Sequence, residues 1–251
     1  MIAELETGTL AVVTGGARGI GLAVIRMLTR ERVGVVCIDT SEADGSEFLS
    51  ITQDAGVPGY FLPVDVRRRD DVFTALDKAA TIGRVRYAVN CAGVDSVGPS
   101  EQVSTQDWSR VLDIDLTGLF YCCQAEHLAM REQGGSIVNV ASMSGHIINR
   151  GAPAHAAYSA AKAGVIQVSK ALGVEWVEDR VRVNSISPGY VRTALTANNP
   201  PEMNAEFAAH TPLGRMAEVG EIAAPIMFLL SDAAAYITAT DLAVDGGYLA
   251  W

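Results

Sequence analysis

The sequence predicts an α/β fold, a doubly wound, seven-stranded parallel sheet held between two layers of helices. Three observations predict it. Short β-branched runs alternate with longer helical stretches, the pattern of parallel strands joined by crossover helices. The apolar runs do not alternate with polar residues, so both faces of the sheet are covered. A glycine-rich turn follows the first run and opens a helical stretch.

The first predicted strand is Leu10 to Val13, followed by the turn Thr14-Gly-Gly-Ala-Arg-Gly-Ile-Gly21 and a helix to Arg30. Val33 to Ile38 supplies the second strand, Leu62 to Val66 the third and Val85 to Asn90 the fourth. Ser136 to Val140, Val181 to Ile186 and Asp241 to Val244 complete the seven. With no internal repeat, low-complexity block or long linker, the 251 residues read as a single domain. One stretch breaks the rhythm, Thr193 to Glu221, which contains Asn198-Asn-Pro-Pro201 and Pro212. Its position after a strand and its length predict a short helical lid over residues 194–221.

Composition narrows the classes. A chain with 49% hydrophobic and 19% charged residues gains enough from burial to order itself. The net charge of −10 provides no basic footprint for a phosphate backbone and argues against nucleic acid as a partner. No apolar run approaches the ~20 residues that cross a bilayer, and Met1 to Thr9 carries two acids and no base, unlike a targeting leader. A cytoplasmic enzyme or binding protein is expected. Cys37, Cys91, Cys122 and Cys123 contain no CxxC and read as reduced core thiols, and the four histidines lack metal-ligand spacing, so no metal is expected.

The turn is the first element with chemistry in it. Gly15 permits the tight bend, Gly19 lets the backbone approach a pyrophosphate, and Gly21 lets the helix lie close to the sheet, with Ile20 between them. Asp39 ends the second strand, 18 residues beyond Gly21, where a carboxylate accepts from the ribose hydroxyls of a dinucleotide. That carboxylate favours NAD, since it repels the 2′-phosphate of NADP. Arg18 pulls the other way: it could hold that phosphate, or pair with Asp39 and be neutralised.

Tyr158 and Lys162 fall one turn apart in a helical stretch, AHAAYSAAKAGVIQVSKAL. An ammonium beside a phenol pulls the phenol pKa from ~10 toward neutrality, where it exchanges a proton with an alcohol or carbonyl. Ser142, at the end of the fifth strand, could bond the same substrate oxygen. Taken together with Asp65-Val66, Asn90-Cys-Ala-Gly93 and Pro188-Gly-Tyr-Val-Arg-Thr193, these motifs resemble the short-chain dehydrogenase/reductase family from Leu10 to Gly247. The resemblance implies a Rossmann fold, Tyr158 as general acid/base, Lys162 lowering its pKa and binding the nicotinamide ribose, and Ser142 orienting the substrate oxygen. It also implies cofactor contacts from Asp65 and Val66 at the adenine, Asn90, Ala92 and Gly93 beside the adenosine, and Pro188, Gly189, Val191 and Thr193 around the nicotinamide, which Ile186 would also line.

Two departures stand out. Where the family has a catalytic Asn, the stretch Trp108 to Gly118 places Asp115, whose carboxylate would keep Lys162 protonated. The spacing from Ser142 to Tyr158, 16 residues, is longer than the family's usual one, and the excess lies in Gly145 to His155. The wording of SMSGHIINRG, VNSISPGY and AVDGGY resembles the branch of the family that oxidises polyols and secondary alcohols. Ser144, His146, Asn149, Arg150 and Tyr190 are the expected substrate contacts, with donors and acceptors for a polyhydroxylated ligand. The reading is an NAD-dependent oxidoreductase interconverting a secondary alcohol and its ketone. A 3-oxoacyl thioester reductase using NADPH and a non-catalytic nucleotide-binding relative are the alternatives. The resemblance also implies a homotetramer, and the apolar DLAVDGGYLAW ending in Trp251 is expected to be buried at its interface.

Overall fold

The structure is a computed structural model describing residues 4–40, 42–149 and 153–251. Its first half runs β1 (Leu10–Thr14), α1 (Gly19–Arg30), β2 (Gly34–Asp39), α2 (Ser46–Ala55), β3 (Gly59–Pro63), α3 (Arg69–Ile82) and β4 (Val85–Asn90). The second half runs α4 (Thr105–Leu112), a π-helical segment Asp113–Gly118, α5 (Leu119–Met130), β5 (Gly135–Val140), α6 (Ala156–Glu175) and β6 (Val181–Pro188). There follow β7 (Val191–Arg192), α7 (Ala194–Ala197), α8 (Pro201–Ala209), β8 (Ala217–Glu218), α9 (Val219–Leu230) and β9 (Asp241–Val244).

The sheet order is β3-β2-β1-β4-β5-β6-β9, and every pairing in it is parallel. The direction of winding reverses between β1 and β4, which leaves a crevice beyond their carboxyl ends where open α/β sheets bind ligands. Register brings Thr14 level with both Ile38 and Asn90, so the ends of three strands share one rim.

Strand residues divide between two cores. Leu10 and Val12 of β1 pack with residues of α3, α5 and α6, whereas Ala11 and Val13 pack with residues of α1 and α9. Each fully buried Val, Leu or Ile contributes roughly 1.5–3 kcal/mol relative to exposure. The covering of both faces agrees with the unalternating apolar runs.

Two expected boundaries differ. The third strand is Gly59–Pro63, not Leu62 to Val66. Pro63 is its last paired residue, and the chain then turns so that Asp65 receives the Arg67 backbone N–H at 3.0 Å and the Arg67 guanidinium. The stretch expected as a lid forms α7 and α8, but its last residues do not belong to it. Ala217 and Glu218 pair with Val191 and Arg192, and Val219 onward is α9.

Candidate active site

The glycine turn is built as its residues require. Gly15 has φ +63, and a Cβ there would lie 2.7 Å from the Ala92 nitrogen, so the turn lies directly against the segment after β4. Its N–H donates to the Ile38 carbonyl at 2.8 Å. Gly19 and Ile20 start α1, whose first turn holds no acid and whose N-cap residue, Arg18, makes no side-chain cap, so the N-terminal N–H groups and helix dipole face the crevice. Asp39 accepts the Ala17 N–H at 3.0 Å through Oδ2 and the Thr40 N–H at 2.9 Å through Oδ1, which fixes its carboxylate at the rim. Arg18 is exposed and, among the described residues, forms no ion pair with Asp39. Thr193 approaches from the far side: its Cγ2 lies 4.0 Å from where a Cβ on Gly19 would stand. A cradle of backbone donors with an acid at its edge fits a dinucleotide cofactor.

Beyond the crevice, the structure brings Ser142, Tyr158, Lys162 and Asp115 together. Tyr158 and Lys162 share one face of α6, with Nζ 5.4 Å from the ring centroid. Nζ donates to the Val140 carbonyl at 3.0 Å and lies 3.1 Å from Asp115 Oδ2, a charge contact outside hydrogen-bond alignment. Asp115 is fully buried on the π-helical segment, and its Oδ1 accepts the Val94 N–H at 2.8 Å. Gly93 makes room for this pair, since a Cβ there would lie 2.9 Å from Oδ2 and 3.4 Å from Nζ. Burial lowers the Lys162 pKa, but Asp115 and Tyr158 outweigh it and hold the ammonium protonated.

The effect on the phenol differs from expectation. Burial raises the Tyr158 pKa above its ordinary value, and Asp115 raises it further; Lys162 and a hydrogen bond from Ser142 pull it down without cancelling the rise. Asp115 thus weakens the pull of the cation it holds, an effect the one-turn spacing alone does not reveal.

The remaining expected cofactor contacts are engaged within the protein. The Asn90 side chain points into the interior, donating to Glu126 at 2.9 Å and Asn139 at 3.0 Å and accepting from Thr14 at 3.3 Å. It can offer a nucleotide only its backbone. Ala92 donates to the Thr14 hydroxyl at 3.3 Å. Val66 is buried, packed where Gly118 leaves space. Asp65 is held by Arg67, whose hydrogen bond keeps its pKa below the usual carboxylate range. Ile186 and Pro188 are buried in the sheet, Gly189 donates to Val244 at 3.0 Å, and Val191 is buried beside β8.

On the substrate side, His146 does not face the cleft unengaged. Its Nε2 meets Asp241 Oδ2 at 2.7 Å and lies 3.3 Å from Ser187 Oγ, tying the loop to β9 and β6. Asn149 Nδ2 donates to Ser144 Oγ at 2.8 Å. The Tyr190 ring stacks on Phe207 of α8 at 3.9 Å and meets Tyr248 edge-on at 5.7 Å, so it anchors the segment after β6 to α8. Arg150 lies outside the described residues. Sequence reasoning missed Thr14, Glu126 and the Val140 carbonyl. Thr14 opens the glycine motif and could have been weighed; a backbone carbonyl leaves no trace in residue type.

Comparison with known proteins finds relatives over nearly the whole chain. The family model described as enoyl-(acyl carrier protein) reductase matches residues 15–249. The chain is 42% identical to D-threitol dehydrogenase of Mycolicibacterium smegmatis, over 96% of this chain and 93% of that one. It is 37% identical to galactitol 2-dehydrogenase (L-tagatose-forming) of Cereibacter sphaeroides, over 97% and 96%. The crystal structure of gox2181 superposes with a TM-score of 0.94 at 35% identity, covering 98% of this chain and 97% of that one. The fold and site define a nicotinamide-dependent dehydrogenase acting on CH–OH groups. The chain belongs to the short-chain dehydrogenase/reductase family.

Proposed function

We propose that this protein is an NAD-dependent dehydrogenase that interconverts a secondary alcohol of a polyol or sugar alcohol and its ketone. The observation that carries the reading is the grouping of Ser142, Tyr158 and Lys162 across the crevice from the glycine turn. Gly15, Arg18, Gly19, Ile20 and Gly21 would hold the pyrophosphate, Asp39 the adenosine ribose, Lys162 the nicotinamide ribose and Thr193 the carboxamide. When bound, the nicotinamide takes or gives a hydride at its C4. Tyr158 takes the hydroxyl proton in oxidation and returns it in reduction, Ser142 orients the reacting oxygen, and Lys162 supplies the positive charge that favours the phenolate.

Asp39 supports NAD, because its two oxygens are fixed at the rim where the 2′-phosphate of NADP would meet like charge. The kinship with threitol and galactitol dehydrogenases supports a polyhydroxylated substrate. Residues 194–216 would cover that substrate as the lid of a single-domain chain. A cytoplasmic homotetramer that buries Trp251, which is 71% exposed in the isolated chain, completes the reading.

The test is the initial rate at 340 nm with NAD and, separately, NADP against polyols, simple secondary alcohols and a 3-hydroxyacyl thioester. NAD reduction by a polyol is expected. A kcat/KM for NADP equal to that for NAD overturns the cofactor assignment, and turnover of the thioester alone favours the acyl thioester reductase.

A further inference from the structure

The segment after β5 carries a chain of hydrogen bonds that ends at Ser142, which neighbours the candidate general acid/base. Asn149 Nδ2 lies 2.8 Å from Ser144 Oγ, Ser144 Oγ lies 3.2 Å from Ser142 Oγ, and the Ser144 N–H also donates to Ser142 Oγ at 3.1 Å. Ser142 in turn lowers the pKa of the Tyr158 phenol. Both serines are buried, at 8% and 4% exposure. A hydroxyl proton rotates to suit its neighbours, so the direction of the chain is set by the groups that cannot change role.

Two groups cannot. The Asn149 amide nitrogen only donates, and the Ser144 N–H only donates. Ser144 Oγ therefore receives the amide, and its own proton needs an acceptor; among the described residues, Ser142 Oγ is the other side-chain atom bonded to it. Once Ser142 Oγ accepts both the Ser144 N–H and the Ser144 hydroxyl, its one proton points away from Ser144, free for the phenol or for the substrate oxygen beside it. Donors aligned in one direction polarise one another.

We propose that Ser144 and Asn149 are positioning residues that aim the Ser142 hydroxyl at Tyr158, rather than substrate contacts. This rests on the reading of Ser142 and Tyr158 given above and adds a device that polarises the pair from the substrate loop. Neither residue touches the reacting atoms. Asn149→Asp, which can only accept, reverses the chain: the Ser144 proton turns to the carboxylate and the Ser142 proton turns back toward Ser144.

The test labels the tyrosines with carbon-13 at the ring carbon bearing oxygen and assigns the Tyr158 resonance by its loss in Tyr158→Phe. Ser142→Ala, Ser144→Ala and Asn149→Asp are all expected to move that resonance in one direction at neutral pH, and Ser144→Thr, which keeps a hydroxyl, to restore it. In turnover with D-threitol or galactitol, Ser144→Ala and Asn149→Asp should lose about ten-fold in kcat with KM little changed, and the rising limb of the oxidation pH profile should move to higher pH. An unmoved resonance in Ser144→Ala, or a raised KM with kcat and pH limb intact, overturns the proposal. The resonance is read without substrate, so failure of every alcohol to react counts against the proposed function separately.

Discussion

The two sides of the crevice are built from different materials. On the cofactor side, the turn from Thr14 to Gly21 and the ends of β1, β2 and β4 present backbone donors and one fixed carboxylate, Asp39. On the substrate side, Ser142, Ser144, His146, Asn149 and Tyr190 are side chains bonded to each other or to neighbouring elements. The cofactor side is held by strand register and glycine geometry and tolerates few changes. The substrate side is held by a small set of hydrogen bonds, each worth about 1 kcal/mol, so it can be retuned one residue at a time.

Substitutions sharpen this contrast. The largest effect is expected for Tyr158→Phe, which removes the proton donor and acceptor and should lower kcat by ~10²–10⁴-fold while NADH affinity, measured by fluorescence titration, stays near wild type. Gly15→Ala comes next. Its Cβ would enter the backbone of Ala92 at a positive φ, and NADH binding should fall below detection in a less stable protein. An Ala variant that binds normally would show that the cradle is looser than drawn.

Glu126 tests the boundary between the sides from beneath. It is fully buried, burial pushes its pKa up to about 8, Oε2 accepts from Asn90, and Oε1 has no hydrogen-bond partner among the described residues. A folded value above the unfolded one means that the protonated acid favours the fold, fully below the unfolded pKa near 4.5, and that this stability is lost as pH rises to about 8. The loss is at most about 5 kcal/mol. Glu126→Gln should flatten the fall of Tm between pH 5 and 8, and parallel curves for the two proteins would contradict the assignment.

Smaller effects are expected nearer the substrate. Asp115→Asn removes a charge that raises the Tyr158 pKa, so the rising limb of the oxidation pH profile should move to lower pH. A limb that stays in place would mean that Lys162 alone sets the phenol. His146→Ala leaves Asp241 without one of its hydrogen bonds and should raise KM for the alcohol by about 3- to 10-fold, with NADH affinity unchanged. Equal losses in both would show that the two sides are not independent.

The same contrast explains what was legible in the sequence. Strand order follows from alternating strands and helices, and the turn from glycines at fixed offsets, so β1, β2 and β4 to β6 fall within a residue or two of expectation. The third strand ends early because Pro63 stops pairing and Arg67 captures Asp65, a tertiary choice that periodicity does not encode. The Tyr158 and Lys162 pairing is a consequence of helix geometry and was readable. The raised phenol pKa was not, because it depends on burial and on Asp115, which lies 43 residues upstream. His146 and Asn149 look like free polar loop residues in a sequence. Their partners, Asp241 of β9 and Ser144 of the same loop, are visible only once the loop is folded.

The most direct test of the account follows the transferred hydrogen. Polyols bearing deuterium on their secondary carbons are incubated with the protein and NAD, and the reduced cofactor is examined by NMR. Deuterium at C4 of the nicotinamide, lost from the alcohol carbon and absent in Tyr158→Phe, is the predicted result. Reduced cofactor without deuterium, or none with any polyol while NADH still binds, would contradict it.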